Sequence, residues 1–170
     1  MPVIHPLPHL KLIIFDADGT LRRCKAHRGP CHADVGQWEV IPGVIDVLAQ
    51  YDWRFITAGI ATNQAGVAFG HRTIVSVHEE LEKLIELLPF SLHLWRTTVC
   101  PHTTEVLTCF CRKPSPGMLF EHMIKFMQHF QITLTPHETL FIGDSSDDYN
   151  AAQRAGMPFF WAQEFFGWKN

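Results

Sequence analysis

LKLIIFDADGT, residues 10–20, is the stretch of sequence that indicates the fold most directly. An apolar run reaches Asp16, and a second aspartate, Asp18, follows two residues later. This pattern is typical of a buried strand that leads into a polar loop. Ligands of parallel α/β sheets bind at the carboxyl ends of the strands, so both aspartates are candidates for a functional site.

Further strand-like runs alternate with helical patterns along the chain. Strands are predicted at residues 54–62, 91–99 and 139–143. Helices are predicted at 43–50, after an N-cap at Thr73, after Ser115 and Pro116, and from Tyr149 to a stop at Gly156. The alternation predicts an α/β fold, a Rossmann-like three-layer α/β/α sandwich with a mainly parallel sheet. Without a repeat or linker, residues 1–170 are expected to form a single domain.

The composition of the chain is that of a globular protein without a membrane-spanning segment. The chain has 170 residues, of which 46% are hydrophobic and 18% charged, and no apolar run reaches the roughly 18 residues of a membrane span. The first residues carry no basic leader and no small-residue cleavage site, so we expect a cytoplasmic protein that does not associate with membranes. A formal net charge of −3 gives no bulk attraction for nucleic acid, although it does not exclude a local basic loop.

Polar residues follow the other strand-like runs as well. Thr62 and Asn63 end the second run, and Asp144, Asp147 and Asp148 follow the last. Carboxylates brought together at one sheet edge repel one another, and a cation relieves that repulsion. Ligands that are all oxygen are typical of magnesium.

The order of IIFDADGTL, TNQAG, RKPSPGM and FIGDSSDD resembles the four motifs of the haloacid dehalogenase-like superfamily. The resemblance implies a phosphatase in which Asp16 is the nucleophile and Asp18 the general acid and base. The Thr62 hydroxyl, the backbone amide of Asn63 and Lys113 would then bind the phosphoryl group. Magnesium would be held by Asp16, Asp18 and Asp144, with support from Asp148 or, as an alternative, Asp147.

A second set of ligands lies between the strands and the third motif. Cys100, His102, Cys109 and Cys111 form a C-x-H pair followed by a C-x-C pair, a complete soft set for tetrahedral zinc. A saturated set leaves no position for a reacting water, so the loop at 100–111 is predicted to hold structural zinc close to Lys113. The alternative is a loop of unliganded cysteines.

These cysteines and CRKPSPGM narrow the resemblance to the histidinol-phosphate phosphatases and D-glycero-D-manno-heptose 1,7-bisphosphate phosphatases, which lack a large cap domain. Arg112 would then help Lys113 to bind the substrate phosphate. The substrate would be a small phosphorylated metabolite, such as a sugar phosphate, a sugar bisphosphate or a histidinol-phosphate-like ester. One departure is Phe69, which stands where the family commonly has arginine. The loss of this cation weakens the inference that this chain shares the family's bisphosphate substrate.

The first loop leaves a second enzymatic interpretation open. It carries a run of basic residues: Arg22, Arg23, Lys25, His27 and Arg28. This loop could bind a second phosphate or a nucleic-acid end, as in polynucleotide 3′-phosphatases, or it could be a solvated loop. A zinc-stabilised binding module without catalysis is the non-enzymatic alternative.

Two other features are less informative. Cys24, Cys31 and His32 lack a fourth convincing ligand for a further metal site. The aromatic tail GMPFFWAQEFFGW, residues 156–168, is expected to be a last strand and a packing segment rather than a base-stacking platform. An exposed part of this tail could form a dimer surface, so a monomer or weak dimer is expected.

Overall fold

The computed structural model describes residues 9–25, 36–90, 96–106 and 109–168. Seven strands are present in these ranges: β1 (Leu12–Phe15), β2 (Arg22–Cys24), β3 (Trp38–Val40), β4 (Thr57–Asn63), β5 (Thr97–Cys100), β6 (Thr139–Gly143) and β7 (Phe159–Trp161). The helices are α1 (Val44–Leu48), α2 (Ile74–Leu87), α3 (Gly117–Phe130), α4 (Ser146–Ala155) and α5 (Ala162–Phe165), with a 3₁₀ turn at Pro136–Glu138.

Five of the strands form one sheet in the order β5–β4–β1–β6–β7, and every pair in it is parallel. The predicted α/β class is therefore confirmed. β2 and β3 form a separate antiparallel pair, which the sequence analysis did not predict because both are short and their charged residues resemble a loop.

The two faces of the central strand belong to two different cores. Ile13 and Phe15 face a core that includes residues of α1, α2 and α5. Leu12 and Ile14 face the other core, which is formed largely with α3 and α4. Helices on both faces make the three layers that the alternation of elements predicted. The apolar stripe of α2 is core packing, as expected: Val77, Leu81, Leu84 and Leu88 are all buried.

Several helix ends agree with the sequence signals. Thr73 caps α2 in a reciprocal capping box with Ser76. Gly156 ends α4 with a φ of 68°, a left-handed conformation that favours glycine. α4 begins earlier than predicted, because Ser145 caps it and draws Asp148 into the first turn. The strand predicted at 91–99 is observed from Thr97 to Cys100, while residues 91–95 lie outside the described ranges.

The aromatic tail packs as predicted. β7 pairs with β6, and Phe165 and Phe166 are buried. The ring of Phe165 lies 6.2 Å from that of Phe15 in the central strand. Among the described residues, no helix has the length and apolar character needed to span a bilayer.

Candidate active site and metal centres

The parallel sheet brings three of the sequence motifs together. Asp16 follows β1, Thr62 and Asn63 end β4, and Asp144 follows β6. Because β1 lies between β4 and β6, these residues meet at one edge of the sheet. The backbone N–H of Asp16 continues the ladder beyond β1 by donating to the Ile142 carbonyl at 2.9 Å.

Lys113 lies at the centre of this site. Its Nζ donates to Oδ1 of Asp16 at 2.5 Å and to the Ala61 carbonyl at 3.0 Å. It also forms an ion pair with Oδ1 of Asp148 at 2.6 Å. Burial disfavours the ammonium form, but the two carboxylates outweigh it and raise the pKa of Lys113 above its ordinary value. The lysine is therefore a fixed positive charge.

Three carboxylates surround this single ammonium. Oxygen atoms of Asp16, Asp144 and Asp148 lie within 4.8 Å of one another. Burial raises the pKa of Asp16, and the neighbouring Asp148 and Asp144 raise it further against the opposing effect of Lys113. Burial, followed by the charge of Asp148, raises the pKa of Asp144 to about 6. The excess negative charge and the oxygen donors fit a divalent cation of the magnesium type.

The fourth motif contributes Asp148 rather than Asp147. Asp148 is buried, and its Oδ2 accepts hydrogen bonds from the Ser145 amide at 3.0 Å and hydroxyl at 2.6 Å. Its side chain packs so closely on Gly143 that a Cβ there would overlap it. Asp147 lies outside the carboxylate cluster and is partly exposed. The helix cap explains the difference, since it turns Asp148 back toward the strand ends.

Asp18 differs from the sequence expectation. Its side chain is absent from the carboxylate cluster that the described residues form. Oδ1 accepts a hydrogen bond from Arg22 Nε at 2.8 Å, and Oδ2 accepts one from Gln64 Nε2 at 2.6 Å. The Asp18 carboxylate as a magnesium ligand stays a prediction, since the structure shows these two hydrogen-bond partners and places its oxygens apart from the other three carboxylates. Its position beside Asp16 in the chain remains suited to proton transfer.

The second and third motifs are joined by Asn63. Its side-chain amide accepts from the Lys113 N–H and donates to the Lys113 carbonyl. Thr62 is fully buried, and its hydroxyl oxygen accepts a hydrogen bond from Gln64 Nε2 at 2.9 Å. Neither the Asn63 side-chain contact nor the contribution of Gln64 was anticipated. The only sequence signal for Gln64 is its place directly after Asn63 in TNQAG.

The four predicted soft ligands also converge. Ligand atoms of Cys100, His102, Cys109 and Cys111 lie within 4.8 Å of one another. The sulfur atoms of Cys109 and Cys111 are 3.0 Å apart and those of Cys100 and Cys109 are 3.6 Å apart, well beyond a disulfide bond of about 2.05 Å. In a tetrahedral site with metal–sulfur bonds of about 2.3 Å the sulfur atoms would be about 3.8 Å apart. The Cys100–Cys109 separation is close to this value and the Cys109–Cys111 separation is shorter, so the four residues could hold a metal ion after a small expansion.

Arg112 connects the soft cluster to the active site. Its Nη1 donates to the His102 carbonyl at 2.9 Å, which fixes the loop from within. Lys113 follows it directly in the chain, so the soft cluster and the buried lysine are adjacent parts of one segment. Contact of Arg112 with a substrate phosphate stays a prediction.

The described part of the basic loop differs from the prediction at Arg22 and Arg23, which lie in a strand. Arg22 is buried in β2, where it contacts Asp18 and Glu80, and the exposed Arg23 forms an ion pair with Glu39 at 2.8 Å. Lys25 is exposed. His27, Arg28, Cys31 and His32 lie outside the described residues, and Cys24 is buried in β2. The pairing of Arg22 with carboxylates in the interior has no signal in the local sequence.

A parallel α/β sheet with this set of carboxylates and a lysine at its strand ends defines a phosphatase of the haloacid dehalogenase-like superfamily. More specifically, the chain belongs to the family described as polynucleotide kinase 3 phosphatase, which matches residues 11–166. It is therefore an enzyme, a phosphoric monoester hydrolase, and the alternative of a non-catalytic binding module is set aside.

Similar proteins carry more specific names. A D-glycero-beta-D-manno-heptose-1,7-bisphosphate 7-phosphatase of Pseudomonas putida is 33% identical, over 86% of this chain and 79% of its own length. One of the same name from Pasteurella multocida is 31% identical, over 85% and 77%. The crystal structure of D,D-heptose 1,7-bisphosphate phosphatase from B. bronchiseptica with magnesium and phosphate superposes with a TM-score of 0.70 at 25% identity, covering 95% of this chain and 88% of that one.

Proposed function

We propose that this phosphatase is magnesium-dependent and hydrolyses a small sugar phosphate or bisphosphate through an aspartyl-phosphate on Asp16. The observation that carries the proposal is the position of Lys113, whose ammonium bridges Asp16 and Asp148 at the strand ends. A carboxylate attacks a phosphate dianion poorly because both are negative, and a buried cation beside the nucleophile reduces that repulsion.

In the first half-reaction, a carboxylate oxygen of Asp16 forms a bond to phosphorus while the bond to the leaving oxygen breaks. Asp18 gives its proton to that oxygen, so that an alcohol departs. The Thr62 hydroxyl and the Lys113 ammonium donate to the phosphoryl oxygens as their charge redistributes. The buried positions of Thr62 and Lys113 at the strand ends support these roles. The three protons of Lys113 face Asp16, Asp148 and the Ala61 carbonyl, so one of these contacts would be exchanged for a phosphoryl oxygen.

In the second half-reaction, water attacks the phosphorus of the aspartyl-phosphate. Asp18 now accepts a proton from that water, and the bond between Asp16 and phosphorus breaks. Inorganic phosphate leaves and the Asp16 carboxylate is restored. One carboxyl group thus serves as acid and then as base, a function worth typically 10² to 10⁴-fold in rate.

Two metal ions complete the proposal. Asp16, Asp18 and Asp144, with support from Asp148, would hold Mg²⁺, which supplies neutralisation of phosphoryl charge when it is bound. Cys100, His102, Cys109 and Cys111 would hold Zn²⁺ in a structural role, because four protein ligands leave no open position for a reacting water. The nearness of this cluster to Lys113 supports a role in fixing the catalytic segment.

The substrate class rests on the relatives and on the surface charges. The curated relatives named above act on a heptose bisphosphate, which favours a sugar phosphate or bisphosphate. The family description favours a polynucleotide end as the second candidate. Within the described residues, however, the basic loop offers less support for nucleic acid than its sequence suggested, because Arg22 is buried and Arg23 is paired. Phe69 is 64% exposed, so the departure from arginine leaves an apolar surface.

The proposal is tested by magnesium-dependent phosphate release from a panel of compounds. The panel contains heptose 1,7-bisphosphate, other sugar phosphates, histidinol phosphate, nucleotides and a 3′-phosphorylated oligonucleotide, with Asp16→Asn as the matched control. Preference for a sugar ester, absent in Asp16→Asn, is the expected result. Preference for the oligonucleotide would overturn the substrate class while leaving the mechanism intact.

A further inference from the structure

A closed ring of buried polar contacts lies behind the active site. It joins the loop after β1, the end of β4 and the segment from Arg72 into α2. Its members are, in order around the ring, Asp18, Arg22, Glu80, Arg72 and Gln64. The side chains of Arg22, Arg72 and Glu80 are each no more than 3% exposed. Two guanidiniums and two carboxylates balance in charge, which is the condition for burying them together.

Arg72 determines which way the Gln64 amide faces. Arg72 Nη1 donates to Gln64 Oε1 at 2.9 Å, while its Nη2 donates to Glu80 at 2.9 Å. A guanidinium has donors and no acceptor, so the amide oxygen is the group that turns toward it. The amide nitrogen must then turn the other way, toward the catalytic residues.

That nitrogen reaches two catalytic side chains at once. Gln64 Nε2 lies 2.6 Å from Asp18 Oδ2 and 2.9 Å from Thr62 Oγ1. Because the Thr62 oxygen accepts this hydrogen bond, the Thr62 hydroxyl proton remains available for donation to another group, such as a phosphoryl oxygen. A flipped amide would present its oxygen to Asp18 and would accept the Thr62 proton instead.

We infer that Arg72, held by Glu80, is a positioning residue that acts through Gln64 to orient both the general acid Asp18 and the hydroxyl of Thr62. Arg22 holds the other Asp18 oxygen and completes the ring through the same Glu80 carboxylate. This inference rests on the proposed function, because it assigns a purpose to the proton transfer by Asp18.

The test compares two substrates that differ in the need of the leaving group for a proton. A misplaced general acid affects only the substrate that needs the proton, whereas a general loss of active-site structure affects both. A sugar phosphate needs a proton on its leaving oxygen, whereas p-nitrophenyl phosphate releases a stable anion without one. kcat/KM reports the steps through departure of the leaving group, so it isolates the acid step from the later hydrolysis. Arg72→Met is expected to lower kcat/KM for the sugar phosphate about tenfold more than for p-nitrophenyl phosphate.

Three further variants make the result interpretable. Asp18→Asn is expected to show the same imbalance more strongly, and Arg72→Lys to restore part of the Arg72→Met loss. Arg54→Met is the matched control, since Arg54 is exposed and pairs with the neighbouring Asp52, and it should leave kcat/KM for both substrates unchanged. If Arg72→Met does not fold, Gln64→Met takes its place, because it removes the oriented amide from between Arg72 and Asp18.

The outcomes distinguish this inference from the proposed function. Equal losses on both substrates in a folded Arg72→Met or Gln64→Met protein, with the imbalance present in Asp18→Asn, would overturn the positioning of Asp18 by Arg72. Unchanged kcat/KM on both substrates would also overturn the inference. Wild-type protein inactive on every phosphomonoester would instead overturn the proposed function.

Discussion

Asn63 and Lys113 exchange two hydrogen bonds: the Asn63 amide donates to the Lys113 carbonyl at 3.0 Å and accepts from the Lys113 N–H at 3.1 Å. The pair satisfies both backbone hydrogen-bonding groups of Lys113. It ties the end of β4 to the segment that follows the soft ligand cluster. The Lys113 ammonium is thereby held against Asp16 by its backbone as well as by charge.

Asn63→Ala is expected to lower both turnover and stability. It leaves two backbone groups of Lys113 without partners, at a cost of about 1–3 kcal/mol. The ammonium then has more freedom to leave Asp16, so kcat should fall in the folded variant. Steady-state kinetics and chemical denaturation measure both effects, and Asn150→Ala on the exposed face of α4 serves as the control. An unchanged kcat in a measurably destabilised variant would separate the pair from catalysis.

Asp144→Asn is expected to abolish the response to Mg²⁺ without destabilising the metal-free protein. Burial and the charge of Asp148 oppose ionisation of Asp144, so its carboxylate repels its neighbours when no cation is bound. Removing that charge should leave the metal-free melting temperature equal or a few degrees higher, at about 2–4 °C per kcal/mol. Differential scanning calorimetry with and without Mg²⁺ tests this, and a full Mg²⁺ response in the variant would remove Asp144 from the ligand set.

The soft cluster predicts about one zinc per chain in the purified protein. Cys109→Ser removes one of four ligands, and a loss of about 2 kcal/mol would lower the melting temperature by about 4–8 °C. Any active fraction should retain the substrate preference of the wild type, because the cluster does not touch the reacting atoms. Elemental analysis and thermal melts measure this, with the buried but distant Cys24→Ser as the control. Folded, active protein without zinc would contradict the structural role.

His122 makes stability depend on pH. Its Nε2 lies 2.9 Å from the Ile60 carbonyl and 3.1 Å from the Thr98 hydroxyl, and burial is the main cause that lowers its pKa to about 4. The folded state therefore resists a proton that the unfolded chain accepts at the ordinary value of about 6.5. Stability is fully present above about pH 6.5 and decreases as the pH falls toward 4, by about 3 kcal/mol in total.

The matched variant for this effect is His122→Gln, which keeps a polar side chain but does not titrate. Its free energy of unfolding should change less than that of the wild type between pH 6.5 and 4.5. The comparison isolates His122 from the active-site carboxylates, since those are common to both proteins. Identical pH dependence in the two would show that His122 does not govern it.

Features that depend on one short segment could be predicted from the sequence. They are the strand before Asp16, the α2 stripe from Val77 to Leu88 and the ligand set of the soft cluster. The burial of Arg22 could not be predicted, because its partner Glu80 lies 58 positions away in the chain. Burial of a charge depends on a partner that is distant in sequence, and one sequence does not reveal such pairs.

The direction of the Asp18 side chain also depends on residues that are distant in the sequence. D-x-D places two carboxylates side by side in the chain, and both were assigned to magnesium. The structure separates them, because Gln64 and Arg22 bind Asp18 while Asp144 and Asp148 surround Asp16. The direction of each side chain is set by these neighbours rather than by the motif.

The measurement that tests the central claim most directly is acid-quenched single turnover with a radiolabelled phosphate ester, in wild type and in Asp16→Asn. Wild-type protein should carry the label transiently, on a peptide that contains Asp16, and Asp16→Asn should carry none while remaining folded. Turnover by Asp16→Asn, or label on another residue, would contradict the assignment of Asp16 as the nucleophile.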